Sequence, residues 1–201
     1  MTPDPAREVE LILQLFREHG DSQYGFEAVS QLEHGLQTAA LALQAGASEE
    51  LVAAALLHDI GHLLHNLPDD APDQGIDDRH EDMGGNWLAG RFCNEAVTAV
   101  RLHVPAKRYL CTIDSSYHDE LSAPSRQSLI LQGGPMTPTE VAKFEAHPCH
   151  RQSVQLRRWD DLAKEPGATI RRAIAGQLSS LRSLSSEPKI TSIIVIIWRE
   201  E

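Results

Sequence analysis

His58 and Asp59 are adjacent residues in an alanine- and leucine-rich run that extends from residue 53 to residue 62. An imidazole and a carboxylate buried in such a run are costly to dehydrate unless a positive charge neutralises and orders them. A metal ion is the simplest source of that charge, because both groups are good metal ligands. The pair therefore predicts a metal site on a buried helix.

Further candidate ligands occur both before and after this pair. They are three histidines and one of two adjacent aspartates, namely His34, His80, His103 and either Asp160 or Asp161. Four imidazoles and two carboxylates are enough for two metal ions that share one aspartate. A bridging aspartate holds two cations about 3.5–4 Å apart, the spacing at which two metals act on one substrate. Nitrogen and oxygen ligands suit iron, manganese, cobalt or zinc.

The remaining histidines fall into two classes. His62 lies four residues after His58, so we expect it on the same helix face, one turn further along. The others lie in polar stretches or at helix ends without ligand spacing, and we interpret them as structural: His19, His65, His118, His147 and His150.

Composition limits the class of protein. A chain of 201 residues fits one domain, and few aromatics (5%) beside periodic alanine and leucine favour an all-α fold. The formal net charge of -11 disfavours nucleic acid and anionic membranes as partners, because binding to them needs clustered Lys and Arg. Three widely spaced cysteines and the absence of a secretory signal pattern indicate a cytoplasmic protein.

Hydrophobic periodicity and helix end signals predict a series of helices. Their expected ranges are 5–19, 28–45, 50–64, 81–92, 94–103, from 137 onward, and 149–163. Pro105 is expected to end the fifth helix soon after His103, and residues 66–79 are expected to form a long polar loop. The apolar run at 190–198 is too short to span a bilayer as a helix, and we interpret it as a terminal strand or tail.

Four segments carry a resemblance to a known family, and they are residues 23–34, 107–110, 131–136 and 156–164. Together with the order His34, His58-Asp59 and a distal aspartate, they are similar to the phosphonate-degrading HD-domain oxygenases over about residues 7–167. The resemblance implies a compact single-domain HD-domain helical bundle in residues 1–167 and a C-terminal extension in residues 168–201.

The resemblance also implies a metal set and a reaction. The implied ligands are His34, His58, Asp59, His80, His103 and Asp160. In the family pattern the shared aspartate, here Asp59, bridges two iron ions in the mixed-valent Fe(II)/Fe(III) state. The expected reaction uses O2 to cleave the C–P bond of a 1-hydroxy-2-(amino or trimethylammonio)ethylphosphonate, which gives phosphate and glycine or glycine betaine.

Two cationic side chains are expected to bind the phosphonate group of that substrate. Lys107 follows His103 by four residues, and Arg157 precedes Asp160 by three, so both should reach the mouth of the metal site. A guanidinium offers a fork of donors to two oxyanion oxygens, and an ammonium adds a compact positive charge.

Other side chains are assigned roles around the same substrate. His62, and Ser125 in a loop at 121–128, are expected to add hydrogen bonds. By the resemblance, Glu27 holds the amine or quaternary ammonium, and Tyr24 covers the open iron position until substrate displaces it. Asp59, His62 and Tyr24 are the expected catalytic residues.

Two alternatives use the same ligand pattern differently. A metal-dependent HD-domain phosphohydrolase would act on a phosphate ester or nucleotide, with a bridging hydroxide as nucleophile. A non-catalytic ligand-sensing HD module would be expected to lose metal ligands, whereas this chain keeps all six.

Overall fold

The computed structural model describes residues 5–22, 28–65, 67, 71 and 74–167. In these residues all the regular secondary structure is helical. In chain order they are α1 (Pro5–His19), α2 (Gln31–Gln44), α3 (Glu49–Leu57), a short 3-10 turn (Ile60–Leu63), α4 (His80–Leu88), α5 (Asn94–Ile113), α6 (Ser115–Glu120), α7 (Ala123–Leu131), α8 (Pro138–Glu145) and α9 (His150–Leu162). The predicted all-α class is confirmed.

The long helix α5 is the centre of the bundle. It packs against α9, α4 and α3, while α2 packs against α3 and α9. The core between these helices is made mainly of alanine and leucine, with Ala55, Val100 and Leu156 fully buried. Small alanine side chains allow the helix axes to approach closely, which brings side chains from separate helices into one central space.

Helix starts follow local capping signals. Ser30 and Glu33 form a reciprocal capping box at the start of α2, and Thr137 and Glu140 form another at α8. The predicted start of α8 is confirmed, while α2 begins later than the expected residue 28 because Ser30 is its cap.

A glycine sets the distance between α2 and α3. A Cβ atom on Gly35 would lie 2.8 Å from the carbonyl oxygen of Leu56, so only glycine permits this approach. His34 precedes Gly35 in the chain and His58 follows shortly after Leu56. The close approach therefore brings the two imidazoles together.

The expected helix 50–64 is wrong, because the structure divides it. α3 ends at Leu57, the backbone turns at Asp59 with φ −100° and ψ 11°, and a 3-10 turn follows at Ile60–Leu63. His62 therefore does not lie one α-helical turn beyond His58. The break is coupled to packing, since a Cβ atom on Gly61 would lie 2.0 Å from the carbonyl oxygen of His80.

The predicted break after His103 is also wrong. α5 continues through Pro105 to Ile113, so His103 lies in the interior of a helix and not at its end. An interior proline removes one backbone hydrogen bond and costs about 3 kcal/mol. Packing of α5 against three other helices outweighs that cost.

Smaller differences concern element ends and loops. α4 is His80–Leu88 where 81–92 was expected, and the expected 121–128 loop is largely helix α7. The helix expected at 149–163 is confirmed as α9. The apolar run 190–198 and part of the 66–79 loop lie outside the described residues.

Candidate metal centre

Five separate parts of the fold deliver the six predicted ligands to one place. These are His34 from α2, His58 and Asp59 from the turn after α3, His80 at the start of α4, His103 from α5 and Asp160 from α9. All six are buried, with exposed fractions of 0–8%. Because their elements pack on one another, the side chains meet in the interior of the bundle.

His34, His58 and Asp160 form the first ligand group. The Nε2 atoms of the two imidazoles are 3.1 Å apart. Oδ1 of Asp160 lies 3.4 Å from His34 Nε2, and its Oδ2 lies 3.7 Å from His58 Nε2. These three side chains can each direct one ligand atom to a single ion.

Asp59, His80 and His103 form the second ligand group. The Nε2 atoms of His80 and His103 are also 3.1 Å apart. Oδ1 of Asp59 lies 3.4 Å from each of them. The second group therefore repeats the arrangement of the first, with two imidazoles and one carboxylate oxygen.

Asp59 connects the two groups through its two oxygens. While Oδ1 faces the second group, Oδ2 lies 3.5 Å from His34 Nε2 and 3.2 Å from His58 Nε2. Oδ2 is buried and has no hydrogen-bond partner in the described part of the chain. A buried carboxylate oxygen without a donor is costly, and a cation in the first group would satisfy it.

The four imidazoles are oriented by hydrogen bonds from their outer nitrogens. Each Nδ1–H donates to an oxygen at 2.6–2.9 Å, and the acceptors are Ala163 O for His34, Ala55 O for His58, Val100 O for His103 and Asp78 Oδ1 for His80. Carbonyl and carboxylate oxygens only accept, so in the neutral ring the proton lies on Nδ1 and the Nε2 lone pair points inward. Paired lone pairs at 3.1 Å repel, and cations between them remove that repulsion.

The electrostatics of the site also favour positive charge. Burial lowers the pKa of His34, but Asp160 and Asp59 outweigh it and raise the pKa to about 9. Burial raises the pKa of Asp59, but the neighbouring imidazoles His58, His103 and His34 hold it well below its usual range. The carboxylates are thus anionic at neutral pH, and either an extra proton or a metal ion must balance them.

The structure separates the two neighbouring aspartates that the sequence left open. Asp160 faces His34 and His58, as described above. Asp161 instead accepts a hydrogen bond from the Tyr117 hydroxyl at 2.5 Å and pairs with Arg157. The residues present thus fit two metal ions with Asp160, and not Asp161, in the ligand set.

Three residues predicted to bind substrate lie in the buried region beside α9. Arg157 donates to Asp160 Oδ2 at 2.7 Å, and Lys107, 3% exposed, donates to Ser128 Oγ at 2.9 Å. Ser125, in α7, accepts from Lys164 Nζ at 3.1 Å. Three cationic side chains, Lys107, Arg157 and Lys164, therefore lie in this region, and Arg157 is paired there with Asp160 and Asp161.

His62 lies beside the second ligand group, next to His80. Its ring stacks on that of His80, with centroids 4.1 Å apart and planes inclined by 21°. Its Nδ1 is 2.8 Å from Asp78 Oδ2. Asp78 was not among the residues predicted from the sequence, although its position two residues before His80 was the available signal.

Tyr24 and Glu27 lie in the segment 23–27, outside the described residues. Their expected roles at the open iron position and the ammonium group stay predictions. In the part of the chain that the structure describes, no helix combines the length and the apolar character needed to cross a membrane.

Residues 32–124 match the model of the HD domain family. The chain is similar to a hydroxymethylphosphonate dioxygenase of Gimesia maris, with 44% identity over 171 residues, 85% of each chain. It is also similar to a glycine-betaine-forming [1-hydroxy-2-(trimethylamino)ethyl]phosphonate dioxygenase of Leisingera caerulea, with 42% identity over 156 residues, 78% of this chain and 80% of the relative.

Both similarities extend over most of each chain, well beyond the ligand pattern itself. The sequence resemblance is thus confirmed, as is the prediction of an enzyme. The chain belongs to the HD-domain family of phosphonate dioxygenases.

Proposed function

We propose that the protein is a two-iron oxygenase that uses O2 to cleave the C–P bond of a small 1-hydroxyphosphonate. The observation that carries this proposal is the Asp59 carboxylate, whose two oxygens face two separate pairs of imidazoles. The activities named for the two relatives, both dioxygenases of hydroxylated phosphonates, support it.

The proposed ligands divide between the two ions. One ion is held by His34, His58, Asp160 and Asp59 Oδ2, and the other by His80, His103 and Asp59 Oδ1. We assign iron because nitrogen and oxygen ligands suit it and because reaction with O2 needs a redox-active metal, which zinc is not. When bound, the ions supply electron transfer to O2 and polarise the oxygens of the substrate.

The protein's own side chains bind and orient the substrate in this proposal. Lys107 and Arg157 hold the phosphonate oxygens with charge-assisted hydrogen bonds, and Ser125 adds a hydroxyl. His62 accepts a hydrogen bond from the substrate beside the second ligand group, next to His80. The surrounding alanine and leucine core excludes bulk water, which strengthens each of these interactions.

The overall reaction balances without a further reductant. A phosphonate R–CH(OH)–PO3 and O2 give the carboxylic acid R–COOH and phosphate, so both oxygen atoms of O2 are used. The C–P bond breaks after the carbon has been oxidised, because a phosphonate has no good leaving group for direct hydrolysis. An aminated substrate gives glycine or glycine betaine, and hydroxymethylphosphonate gives formic acid.

The substituent R is the part of the substrate on which the two relatives differ. Hydroxymethylphosphonate has no ammonium group, whereas the Leisingera caerulea substrate carries a trimethylated one. We propose that Glu27 binds an ammonium substituent and that Tyr24 covers the open iron position before substrate enters.

A cytoplasmic location and the absence of a nucleic-acid partner also stay proposals, which rest on composition and charge.

The test compares substrates with and without O2. Protein loaded anaerobically with iron should consume one O2 for each phosphate released from at least one of three substrates: hydroxymethylphosphonate and the 2-amino or 2-trimethylammonio derivative of 1-hydroxyethylphosphonate. Phosphate release from phosphomonoesters without O2, and none from the phosphonates with it, would identify the alternative phosphohydrolase.

A variant tests the role of Glu27 in that comparison. Glu27→Ala should raise KM for an ammonium-bearing substrate by about 10-fold or more, because the negative charge that pairs with the ammonium is lost, and leave KM for hydroxymethylphosphonate nearly unchanged. Equal increases for both would remove Glu27 from ammonium recognition.

A further inference from the structure

Asp78 makes hydrogen bonds to two histidines at once. Its Oδ1 accepts from His80 Nδ1 at 2.8 Å, and its Oδ2 accepts from His62 Nδ1 at 2.8 Å. Oδ1 also lies 3.3 Å from the backbone nitrogen of His80.

The local backbone explains how Asp78 reaches both rings. Arg79, at the start of α4, adopts φ 51°, the left-handed conformation that is rare for a residue other than glycine. This turn folds the side chain of Asp78 back over the first residue of α4. The stacked rings of His62 and His80 then present their Nδ1 atoms to the two oxygens of one carboxylate.

The same residues, with His65, have ligand atoms close enough to be considered as a third metal site. The hydrogen bonds argue against that interpretation. His65 Nδ1 accepts from the backbone N–H of Leu67 at 3.2 Å, so in the neutral ring the proton lies on Nε2. Nε2 is the atom that faces Asp78, at 3.5 Å, and a protonated nitrogen cannot bind a metal.

We propose that Asp78 is a positioning residue that fixes one tautomer on two histidines, His80 in the metal centre and His62 beside it. An ionised carboxylate only accepts, so both rings carry their proton on Nδ1. His80 Nε2 is then free to bind a metal ion, and His62 Nε2 is free to accept a proton or hydrogen bond from a bound molecule. The role of His80 rests on the proposed two-metal centre.

The pairing makes Asp78 different from the acceptors of the other three ligand histidines. Those acceptors are backbone carbonyls, each of which orients a single ring. Asp78 couples a ligand to a residue outside the ligand set, so its loss should affect metal affinity and the His62 tautomer together.

The experiment measures histidine tautomers by 15N NMR in the full chain loaded with Zn(II), a diamagnetic probe, without any phosphonate. In the wild-type protein, His62 should carry its proton on Nδ1, whereas neutral imidazole in water favours Nε2. Asp78→Asn replaces one acceptor by an NH2 donor. It should shift His62 toward the Nε2–H form and weaken binding of the second metal equivalent by about 10–100-fold.

Asp77→Asn is the matched control, because Asp77 is exposed, carries the same charge and, among the described residues, accepts a hydrogen bond from the backbone N–H of Arg79 at 3.4 Å. It should leave both the tautomers and the metal affinity unchanged. Equal effects of the two variants would show a general charge effect and overturn the proposal.

The wild-type spectrum decides the question even if Asp78→Asn fails to fold. A proton on His62 Nε2 in the wild-type protein would overturn the proposal, and so would a third Zn(II) ion that shifts the His62 and His65 resonances. None of these measurements uses a phosphonate. A protein with the expected tautomers but no phosphonate turnover would therefore disprove the proposed function and leave the role of Asp78 intact.

Discussion

At the scale of single residues, the centre depends on where protons are held. Each ligand imidazole keeps its proton on the outer nitrogen, since an oxygen acceptor lies beside it. The lone pairs of the inner nitrogens and of the Asp59 carboxylate oxygens then lie close together in an apolar core. Such an arrangement is stable only with compensating positive charge, which comes from protons in the free protein and from ions in the loaded one.

Lys107 is the cation whose charge has the highest cost in this core. Burial, and then the neighbouring charge of Arg157, lower the pKa of Lys107 to about 7. The unfolded chain keeps the ordinary value of about 10.5, so it binds more protons than the folded protein between these two pH values. Lys107 should therefore contribute a stability that rises with pH over this window, whereas His34, whose pKa is raised to about 9, contributes a stability that falls with pH up to that value.

Lys107→Met should remove the contribution of Lys107 to the pH dependence and leave that of His34. In the metal-free protein at pH 6, we expect a gain of about 1–4 kcal/mol in the free energy of unfolding, because an apolar side chain replaces a buried charge. KM for the phosphonate should rise by about 10-fold or more through loss of a charged hydrogen bond. Urea unfolding at pH 6 and pH 9, with steady-state kinetics, measures both effects. The exposed Lys143→Met is the control, and equal stability changes would contradict the prediction.

The sequence was sufficient to find most of these residues but not their partners. Histidines and aspartates with apolar neighbours stand out, so the ligand candidates follow from residue type. The choice of Asp160 over Asp161 came from the family resemblance, because adjacent carboxylates have nearly the same spacing to every other ligand. The contact between Asp78 and His62 depends on the left-handed turn at Arg79, which residue type does not indicate.

At the scale of elements, two glycines bring the ligand-bearing segments together. Gly35 allows α2 to approach α3, and Gly61 allows the 3-10 turn to lie against the start of α4. The first contact joins His34 to His58, and the second joins Asp59 to His80. The ligand groups are thus set by backbone contacts more than by the side chains around them.

Gly61→Ala tests the second contact. The added Cβ would lie 2.0 Å from the His80 carbonyl oxygen, a backbone atom that cannot move alone. We expect a loss of about 1–3 kcal/mol in stability from overpacking and a decrease in bound metal from two ions to one, as His80 leaves the second group. Metal analysis and urea unfolding measure these changes.

Gly46→Ala is the control for that variant. Gly46 has φ +68° and open space around its Cβ position, so alanine there should cost about 1 kcal/mol of backbone strain without loss of metal. Two bound ions in Gly61→Ala would show that the contact does not position His80.

Helix prediction succeeded where local signals dominate and failed where packing dominates. The proline at the first helical position, Pro138, correctly marked the start of α8. The proline signal at Pro105 was wrong, because α5 is held on several sides by other helices. The break in the 50–64 segment was missed, because the requirement for it comes from His80, about twenty residues further along the chain.

At the scale of the whole molecule, the candidate metal centre connects the helices of the bundle. Its ligands come from α2, the turn after α3, α4, α5 and α9, so a bound ion ties together segments that are far apart in sequence. Ligands that bind only the folded state stabilise it by mass action. Metal binding should therefore stabilise the fold as a whole and not a single loop.

Metal removal measures this coupling. With free Fe(II) about 100-fold above its Kd under anaerobic conditions, the free energy of unfolding should rise by about 2.7 kcal/mol for each site filled, and a chelator should reverse the gain. Asp59→Asn should lose most of the gain, because the shared carboxylate serves both groups. Thermal unfolding with and without metal provides the measurement, and an undiminished gain in Asp59→Asn would contradict the shared role.

The carbonyl acceptors of three ligand histidines have a consequence for how this enzyme can change during evolution. A substitution at Ala55, Val100 or Ala163 cannot remove a main-chain oxygen. The ring orientations of His34, His58 and His103 are therefore insensitive to the identity of the acceptor residue. Among these four histidines, His80 alone has a side-chain acceptor, Asp78, which a single substitution can remove. If a descendant of this enzyme binds one metal ion instead of the proposed two, the ion beside His80 should therefore be the one that is lost.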